Sequence, residues 1–372
     1  MSQAVSIRTA LFSYALPIAC LALALAFRSG VLSIDRSGTA VLVALNAVAI
    51  GLVLATVFAA LAHAEAIAHR VGEPFGTLVL TFAVTTIEVS IIVSMMLHGE
   101  NNPTLARESV FSTVMIVCTG VVGICLTLGG WKHARQDIRR QGTSAFLSVL
   151  IGLTVMTMVL PDYTLSTGPG TFSPIQLAFV SLLSVLLYGS FVFAQSFAQK
   201  EDFADERPSG PAASVHHAAP KGMARHLVLL LVGLGGIVLL TEQVAAGVED
   251  GLSYLEVMQS DAIVGAFIAL VILLPEAISA IKASLKNELQ RGLNIALGSA
   301  CATIGMTIPA VAAASLVTGR SLTLGLNPGD TVLLLLALAM SVVSFGTGRT
   351  TILTGLAHLV IFVAYVLLIV VP

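Results

Sequence analysis

Two glutamates stand inside long apolar stretches of this sequence. Glu88 lies within TLVLTFAVTTIEVSIIVSM and Glu276 lies within AFIALVILLPEAISAIKAS. An ionised carboxylate at the centre of a membrane helix costs about 2.5 to 3.5 kcal/mol on insertion scales, so such residues usually serve a function. Burial disfavours the charged carboxylate and a bound cation favours it, so a proton and a cation compete for the same oxygens. The pair therefore predicts a site that binds protons and cations in turn.

Further oxygen atoms are expected beside each glutamate. Thr85 and Thr86 shortly precede the first glutamate, and Pro275 directly precedes the second. Because proline has no N–H, we expect Pro275 to disrupt its helix and to free the carbonyl of Val271, four residues earlier. The alternative for either glutamate is a protonated packing residue, which is less expected for two that match.

A stripe of hydroxyl groups follows the second glutamate. Ser299, Thr303 and Thr307 recur every four residues and would share one helix face, where they either line the site or join neighbouring helices. Thr119 and Asn294 complete the predicted supporting set. Carboxylates, hydroxyls and carbonyls suit Ca²⁺, Na⁺ or another hard cation better than zinc or copper. Two carboxylates would balance the charge of a divalent ion.

A few other groups could move protons. His63, Glu65 and His69 come together near the end of one apolar stretch and suggest a cytoplasmic-side proton relay, although solvated helix ends are the ordinary alternative. His358 lies inside the last apolar stretch, where it either packs against a neighbouring helix or belongs to a proton pathway. Packing is the favoured interpretation.

Membrane helices must position these residues. Charged residues make up 10% of the 372 residues, hydrophobic residues make up 56%, and the mean hydropathy is +0.97. A spanning helix needs about 20 apolar residues, and eleven stretches qualify. They lie near 11–27, 39–61, 76–97, 110–130, 145–160, 175–198, 227–246, 262–283, 293–317, 330–345 and 351–371. The expected fold is an all-α polytopic membrane protein of about eleven helices.

The positive charges indicate an orientation. If the N-terminus is cytoplasmic, fourteen of the 18 Lys and Arg residues lie on that side, and the other side has only Arg28, Arg36, Arg107 and Arg320. Cytoplasmic loops of membrane proteins are enriched in Lys and Arg. We therefore expect a cytoplasmic N-terminus and an external C-terminus. The first stretch also resembles a cleavable secretory signal, in which case ten spans would remain with the same orientation.

The chain divides into two similar halves. We expect a leading helix in 1–37, a first five-helix repeat in 38–198, a cytoplasmic linker in 199–226 and a second repeat in 227–372. An odd number of helices per repeat inverts the second copy. The two glutamates lie on the third and eighth spans of the chain, which are five spans apart, as the repeat requires. Inverted repeats with a midplane substrate site are typical of secondary transporters.

Several functional classes are excluded or disfavoured by the same residues. A net charge of −2 gives no basic surface for nucleic acid. Cys20, Cys118, Cys125 and Cys301 all lie in apolar stretches and form no CxxC pair, so they are expected to be buried and unpaired. The loops are too short for an appended soluble enzyme. An intramembrane enzyme is disfavoured because neither glutamate has a catalytic partner in the sequence.

The chain resembles the bacterial calcium/proton antiporters of the ChaA type, in the cation/calcium exchanger superfamily. The resemblance covers most of the chain and rests on AHRVGEPFGTLVLT, TTIEVS, LLPEAISAIKASLKNELQRGLNIALGSACATIGMTIP and SFGTGRTTILTGLAHL. It implies eleven helices with two inverted repeats, and exchange of cytoplasmic calcium, or of sodium or potassium, for external protons. It also implies that Glu88 and Glu276 are the central ligands and proton acceptors, with Ser299 and Thr303 lining the site.

The first repeat departs from the superfamily pattern. That pattern usually places an Asn near the first glutamate and a GS pair on the next helix. Here two threonines precede the glutamate, and Val114 and Met115 correspond to Gly298 and Ser299. The site is therefore expected to be less symmetric and poorer in oxygens.

The predicted function is secondary active exchange of cytoplasmic Ca²⁺ for external protons by alternating access. A monovalent Na⁺ or K⁺/proton antiporter is the alternative, and a cation channel is a more distant one. We expect no cofactor and no enzymatic activity. The partners would be inorganic cations, protons and the lipid bilayer of the bacterial inner membrane, and the sequence leaves homo-oligomerisation open.

Overall fold

The structure is a computed structural model that describes residues 2–30, 39–71, 75–98, 102–165, 167–198, 200–203, 223–254 and 260–371. Most of the predicted linker, 204–222, lies outside the described residues. All eleven predicted spans lie within the described ranges.

Eleven continuous helices run through the described residues, which confirms the predicted fold class. They are composed of thirteen α-helical segments, because single π-helical turns divide two of the helices. The segments are α1 (Ser2–Arg28), α2 (Thr39–Val71), α3 (Phe75–His98), α4 (Leu105–Met115), α5 (Val122–His133), α6 (Arg140–Thr154), α7 (Pro174–Phe193), α8 (Met223–Tyr254), α9 (Ser260–Leu285), α10 (Leu289–Ala302), α11 (Ile308–Thr318), α12 (Pro328–Gly346) and α13 (Ile352–Val370).

Most of the helices are longer than the apolar stretches that predicted them, although α13 is slightly shorter. Within the described residues nine are long and apolar enough to cross a membrane, and Phe12–Arg28 and Thr81–Met96 are shorter apolar helices. The largest difference is in α8, predicted over 227–246 and observed over Met223–Tyr254. Hydropathy detects only the apolar section of a helix, whereas backbone hydrogen bonding continues through polar residues at both ends.

The chain forms two compact units. Unit 1 comprises Met1–Glu100 and Ser214–Glu256, and unit 2 comprises Asn101–Ala213 and Val257–Pro372. Each unit thus combines helices from both sides of the linker. The compact units are therefore not the two predicted repeats, whose boundaries remain a prediction.

Unit 1 contains α1, α2, α3 and α8. Both α1 and α2 pack along α8. The backbones of α1 and α8 approach closely at Gly236, where an added Cβ would lie 2.7 Å from the amide nitrogen of Leu21. Small residues at helix interfaces permit this kind of close backbone packing in membranes.

Unit 2 is built around the continuous helix formed by α4, a π-helical turn (Ile116–Val121) and α5. This helix is almost entirely buried, whereas α7 and α13 expose most of their apolar side chains, as expected for helices that face lipid. The helices α9 and α13 pack against the continuous helix of α4 and α5. At one end of the unit, β1 (Gln136–Asp137) and β2 (Arg349–Thr350) form a short antiparallel ladder.

Candidate cation site

In unit 2 the candidate ligand is Glu276 on α9. Its side chain is only partly buried, but its Oε2 oxygen is inaccessible and has no hydrogen-bond partner among the described residues. Leaving a buried carboxylate oxygen unsatisfied is costly, and a cation or a proton would satisfy it. Glu276 is therefore in a state that requires a bound positive charge or a bound proton.

The predicted break at Pro275 does not occur. Pro275 lies inside α9, and the helix continues from Ser260 to Leu285. Proline removes one backbone N–H donor, but packing on both sides holds membrane helices together at such positions. The prediction of a disrupted helix was wrong, because it treated the helix as isolated.

Two π-helical turns divide helices that pack against α9. The turn at Ile116–Val121 carries Thr119, and the turn at Thr303–Thr307 begins at the predicted ligand Thr303. Both threonines are buried, and Thr119 Oγ1 donates to the carbonyl of Met115. Single π-helical turns in α-helices frequently mark functional sites.

The predicted hydroxyl stripe crosses the second π-helical turn. Ser299 lies on regular α-helix and is partly buried, whereas Thr303 and Thr307 begin and end the π-helical turn. Side chains four residues apart stay near one face of an α-helix, and the slightly wider π-helical turn changes this register only modestly. The stripe therefore stays a prediction, and Thr307 Oγ1 is buried without a partner among the described residues.

The structure gives Asn294 a different set of contacts from those expected of a ligand. Its Nδ2 donates to the carbonyl of Phe203 over 2.6 Å, and its Oδ1 accepts a bond from Gln290 Nε2 over 2.9 Å. The amide thus attaches residues 200–203 to α10. Its predicted supporting role at the cation site stays a prediction.

In unit 1 the candidate ligand is Glu88 on α3, and it is 4% exposed. Thr85, about one turn earlier, and Thr86, half a turn earlier, donate their hydroxyl hydrogens to the carbonyls of Thr81 and Phe82, over 2.9 and 2.7 Å. Thr85 shares the face of Glu88, whereas Thr86 points in a different direction. A hydroxyl that donates its hydrogen to a carbonyl keeps its lone pairs available to a cation. The threonine oxygens are therefore compatible with the ligand role predicted for them.

Comparison with known proteins identifies the family. The pattern that defines the sodium/calcium exchanger protein family matches residues 39–197 and 225–371, which is most of the chain. The chain belongs to the sodium/calcium exchanger family. The predicted resemblance to the cation/calcium exchangers is thereby confirmed.

Two relatives of this exchanger and one solved structure of the same fold are informative. An ionic transporter named y4hA from Sinorhizobium fredii (strain NBRC 101917 / NGR234) is 42% identical over 323 residues, which cover 87% of each chain. The sodium-potassium/proton antiporter ChaA of Escherichia coli (strain K12) is 34% identical, covering 88% of this chain and 89% of that protein. The crystal structure of the Ca²⁺/H⁺ antiporter YfkE has the same fold, with a TM-score of 0.69, 17% identity, and coverage of 97% and 99%.

The exchanger places His63 in a cluster that sequence spacing did not predict. His63 Nδ1 lies 3.0 Å from His226 Nδ1, and His63 Nε2 lies 3.1 Å from the Ser13 carbonyl. Arg225 stacks over the ring of Tyr14, which itself stacks on His63. The cluster joins α1, α2 and α8 of unit 1, and only tertiary packing brings these residues together.

Glu65 lies on the exposed surface of α2, whereas His63 is 1% exposed. Two residues apart on a helix, the two side chains point in different directions. The side chain of His69 lies outside the described residues. A relay that includes both His63 and Glu65 therefore remains a prediction without a direct contact to support it.

His358 is fully buried and hydrogen-bonded at both ring nitrogens. Its Nδ1 lies 2.7 Å from the carbonyl of Cys118 and its Nε2 lies 3.0 Å from Ser344 Oγ. A carbonyl can only accept, so Nδ1 carries the proton and donates it. The ring also stacks on Phe345. These contacts agree with the packing interpretation, and a pathway role is still a prediction.

Sequence reasoning gave little weight to one acid in unit 1. Glu242 was expected near a helix end, but α8 extends to Tyr254, and Glu242 Oε2 accepts a bond from Ser94 Oγ of α3 over 3.2 Å. The acid therefore lies within a helix, facing a neighbouring helix. A longer hydropathy window across α8 could have found it.

Proposed function

We propose that this exchanger is a proton-driven antiporter that moves Ca²⁺ out of the cytoplasm in exchange for external protons by alternating access. Membership in an exchanger family supports exchange over a channel or an enzyme. In this proposal Glu88 and Glu276 each either carry a proton or bind the cation.

One observation carries the proposal: the Oε2 oxygen of Glu276 is buried without a partner among the described residues. A carboxylate used only for packing would have its oxygens hydrogen-bonded. A carboxylate that alternates between a proton and a cation instead needs an oxygen that no protein group occupies permanently. Glu276 meets that requirement.

The predicted supporting oxygens fit a hard cation. Thr85, Thr86 and Thr119 donate their hydroxyl hydrogens to carbonyls of their own helices, so their lone pairs are free to face a cation. Ser299 and Thr303 are proposed to serve Glu276 from α10 and the π-helical turn that follows. Oxygen ligands of this kind are those that Ca²⁺ and Na⁺ prefer.

A monovalent cation/proton antiporter is the second candidate. The relative from Escherichia coli is named a sodium-potassium/proton antiporter. In addition, the first repeat places Val114 and Met115, both buried, where the second repeat has Gly298 and Ser299. A site with fewer oxygens satisfies a divalent ion less well, because Ca²⁺ takes six to eight oxygen ligands.

The experiment is cation-induced proton release from inside-out vesicles with an acidic lumen, adding Ca²⁺, Na⁺ and K⁺ separately. We expect release with Ca²⁺ at low concentration, and no release in Glu276→Gln, since the amide keeps the side-chain volume and cannot titrate. Asp137→Asn, which removes an exposed ion pair with Arg349, is the control and should respond like the wild type.

A response to Na⁺ or K⁺ alone would replace Ca²⁺ with the second candidate. Silence with all three ions would refute proton-coupled exchange of these cations. Wild-type activity in Glu276→Gln would refute the role given to this carboxylate.

A further inference from the structure

One end of unit 2 carries charged side chains that the proposed function does not use. Arg107 on α4 donates from Nε to Glu108 Oε1 over 2.9 Å and from Nη1 to the carbonyl of Gly325 over 2.8 Å. The two side chains are 15% and 7% exposed. This ion pair is therefore largely removed from solvent.

Two more carboxylates lie near the pair. Asp162, on the 3₁₀ turn Leu160–Tyr163, lies against Gly325, whose carbonyl accepts the bond from Arg107, because a Cβ added to Gly325 would clash with Asp162 Oδ1. Asp330, in the first turn of α12, accepts a bond from Asn327 Nδ2 over 2.6 Å, and α12 packs against α4, which carries Arg107 and Glu108. Arg107, Glu108, Asp162 and Asp330, here called the charged cluster, carry three negative charges and one positive charge when all are ionised. Excess negative charge in a partly desolvated cluster favours the binding of a positive charge.

A buried hydroxyl group also faces this cluster. Tyr365 of α13 is 2% exposed, and its hydroxyl has no hydrogen-bond partner among the described residues. Its ring packs edge-on against Phe111 of α4, with 5.7 Å between the ring centroids, and the next residue, Ser112, is within reach of the hydroxyl as a weak partner. A buried, unsatisfied hydroxyl costs about 1–3 kcal/mol. The hydroxyl is therefore weakly satisfied and available to a polar group that enters the cluster.

A proton suits the cluster better than a metal ion. The guanidinium of Arg107 lies among the carboxylates, so a metal ion bound between them would be repelled at short range. A proton on Asp162 or Asp330 removes one negative charge without approaching Arg107. Both aspartates are partly exposed and can exchange protons with solvent, whereas Glu108 and Tyr365 are buried. Asp261 of α9, bonded by Thr104 Oγ1 over 3.0 Å, adds a further acid at this end.

Buried hydroxyl groups continue from the cluster along α4. Ser109 and Thr113 are each 1% exposed, and neither side-chain oxygen has a hydrogen-bond partner among the described residues. They occupy one helix face, four residues apart. At its start α9 packs against this region, because a Cβ on Gly265 would lie 2.9 Å from the amide nitrogen of Ser109.

Glu276 lies further along the same pair of packed helices. The α9 helix runs parallel to α4 and α5, and near its end Ser284 Oγ donates to the carbonyl of Cys125 over 2.6 Å. Glu276 stands between these two contact points, and its Oε2 is also unsatisfied. Unpartnered polar atoms thus follow one helix pair from the charged cluster towards the proposed cation ligand.

We propose that the charged cluster is a proton-loading site of the exchanger, from which protons reach Glu276 past the hydroxyls of Ser109 and Thr113. Asp330 or Asp162 takes a proton from external water and becomes a neutral acid. Transfer then restores the aspartate to a carboxylate and leaves Glu276 neutral, so one proton moves and total charge is conserved. The inference rests on the proposed function, since it assigns the source of the proton that displaces the cation.

The test compares Asp330→Asn and Tyr365→Phe with the controls Asp137→Asn and Tyr163→Phe, whose side chains are exposed. Purified variants are reconstituted in proteoliposomes with the cation to which the wild type responds. Two rates are measured: cation/proton exchange as a function of pH at the end that carries the cluster, and cation/cation exchange without a pH gradient. The second rate needs no proton loading.

We expect Asp330→Asn to lower cation/proton exchange at least about threefold near pH 8, with recovery near pH 6, since a positioned acid matters most when protons are scarce. Tyr365→Phe should shift the profile in the same direction, and cation/cation exchange should be unchanged in both. Equal loss of both rates would instead indicate structural damage and overturn the proposal. Wild-type profiles in both variants would also overturn it. A wild type without cation/proton exchange would refute the proposed function itself.

Discussion

At the scale of single residues, the two candidate ligands have different surroundings. Glu88 is buried on α3 about one turn after Thr85, whose hydroxyl hydrogen is already donated to the carbonyl of Thr81. Glu276 keeps one buried oxygen without a partner among the described residues. A bound proton or cation would therefore give this oxygen of Glu276 the partner that it lacks among the described residues.

Competition between protons and cations should be visible in the pH dependence of exchange. Each proton that must leave for a cation to bind raises the cation concentration for half-maximal exchange about tenfold per unit of falling pH, because one pH unit changes proton binding by about 1.4 kcal/mol. With two glutamates we expect about a tenfold rise per unit where one is protonated and about a hundredfold rise where both are. The measurement is the initial exchange rate against cation concentration at several values of pH on the cation side.

Asp137→Asn is the matched control and should give the same slope as the wild type. An apparent affinity that did not change with pH would show that the cation and the proton use different groups. The two-glutamate competition would then have to be abandoned.

At the scale of elements, each of the two π-helical turns that divide a helix contains a glycine against a neighbouring helix. An added Cβ on Gly120 would lie 3.1 Å from the ring of Phe362, and one on Gly305 would lie 2.6 Å from Cβ of Tyr188. The first turn also contains Cys118, whose carbonyl accepts the hydrogen bond from His358. A π-helical turn leaves a carbonyl without its usual helical partner, and His358 supplies one.

Gly305→Ala should destabilise unit 2. The added methyl group would meet the Cβ of Tyr188, which cannot move without moving α7, and overpacking of this kind costs about 1–3 kcal/mol. Gly189→Ala, next to Tyr188 on the same helix, is the control because nothing lies within 4 Å of its added Cβ.

The measurement for this pair is thermal unfolding of the purified proteins in detergent. We expect a lower melting temperature for Gly305→Ala and no decrease for Gly189→Ala, since alanine favours helix. Equal melting temperatures would mean that the helices at Gly305 adjust without cost.

At the scale of the whole molecule, hydrogen bonds in unit 2 link loops that were predicted to share a side. The ladder of β1 and β2 joins the loop that contains Asp137 to the loop that contains Arg349. Both loops were expected to be cytoplasmic. At the other end Thr323 N donates to the Pro103 carbonyl, and Leu324 N donates to the Gly170 carbonyl. Loops that pair must lie on one side of the bilayer, so the alternation of spans within unit 2 agrees with the predicted order.

The absolute orientation can be tested by labelling single cysteines. Leu165→Cys, at a fully exposed position, should react with a membrane-impermeant maleimide added outside intact cells, whereas Asp137→Cys should react only after the cells are opened. The native protein is the control, because Cys20, Cys118, Cys125 and Cys301 are all buried and should not react. The reverse pattern would invert the topology and place the charged cluster on the cytoplasmic side.

The sequence alone determined the class of this protein and its most informative residues. Apolar stretches of spanning length predicted all eleven helices, because water is absent from the bilayer core and a spanning segment must satisfy its own backbone as a helix. Glu88 and Glu276 were found for the same reason, since a carboxylate inside such a stretch is too costly to be incidental.

Tertiary structure alone decided which polar groups meet. The pairing of His63 with His226, the contacts of Asn294 with Phe203, and the gathering of Arg107 with Asp162 and Asp330 join residues far apart in the chain. The π-helical turns were also beyond prediction, because the residues in them suit an α-helix equally well. Helix propensity and hydropathy act locally, whereas these features depend on which helix faces pack together.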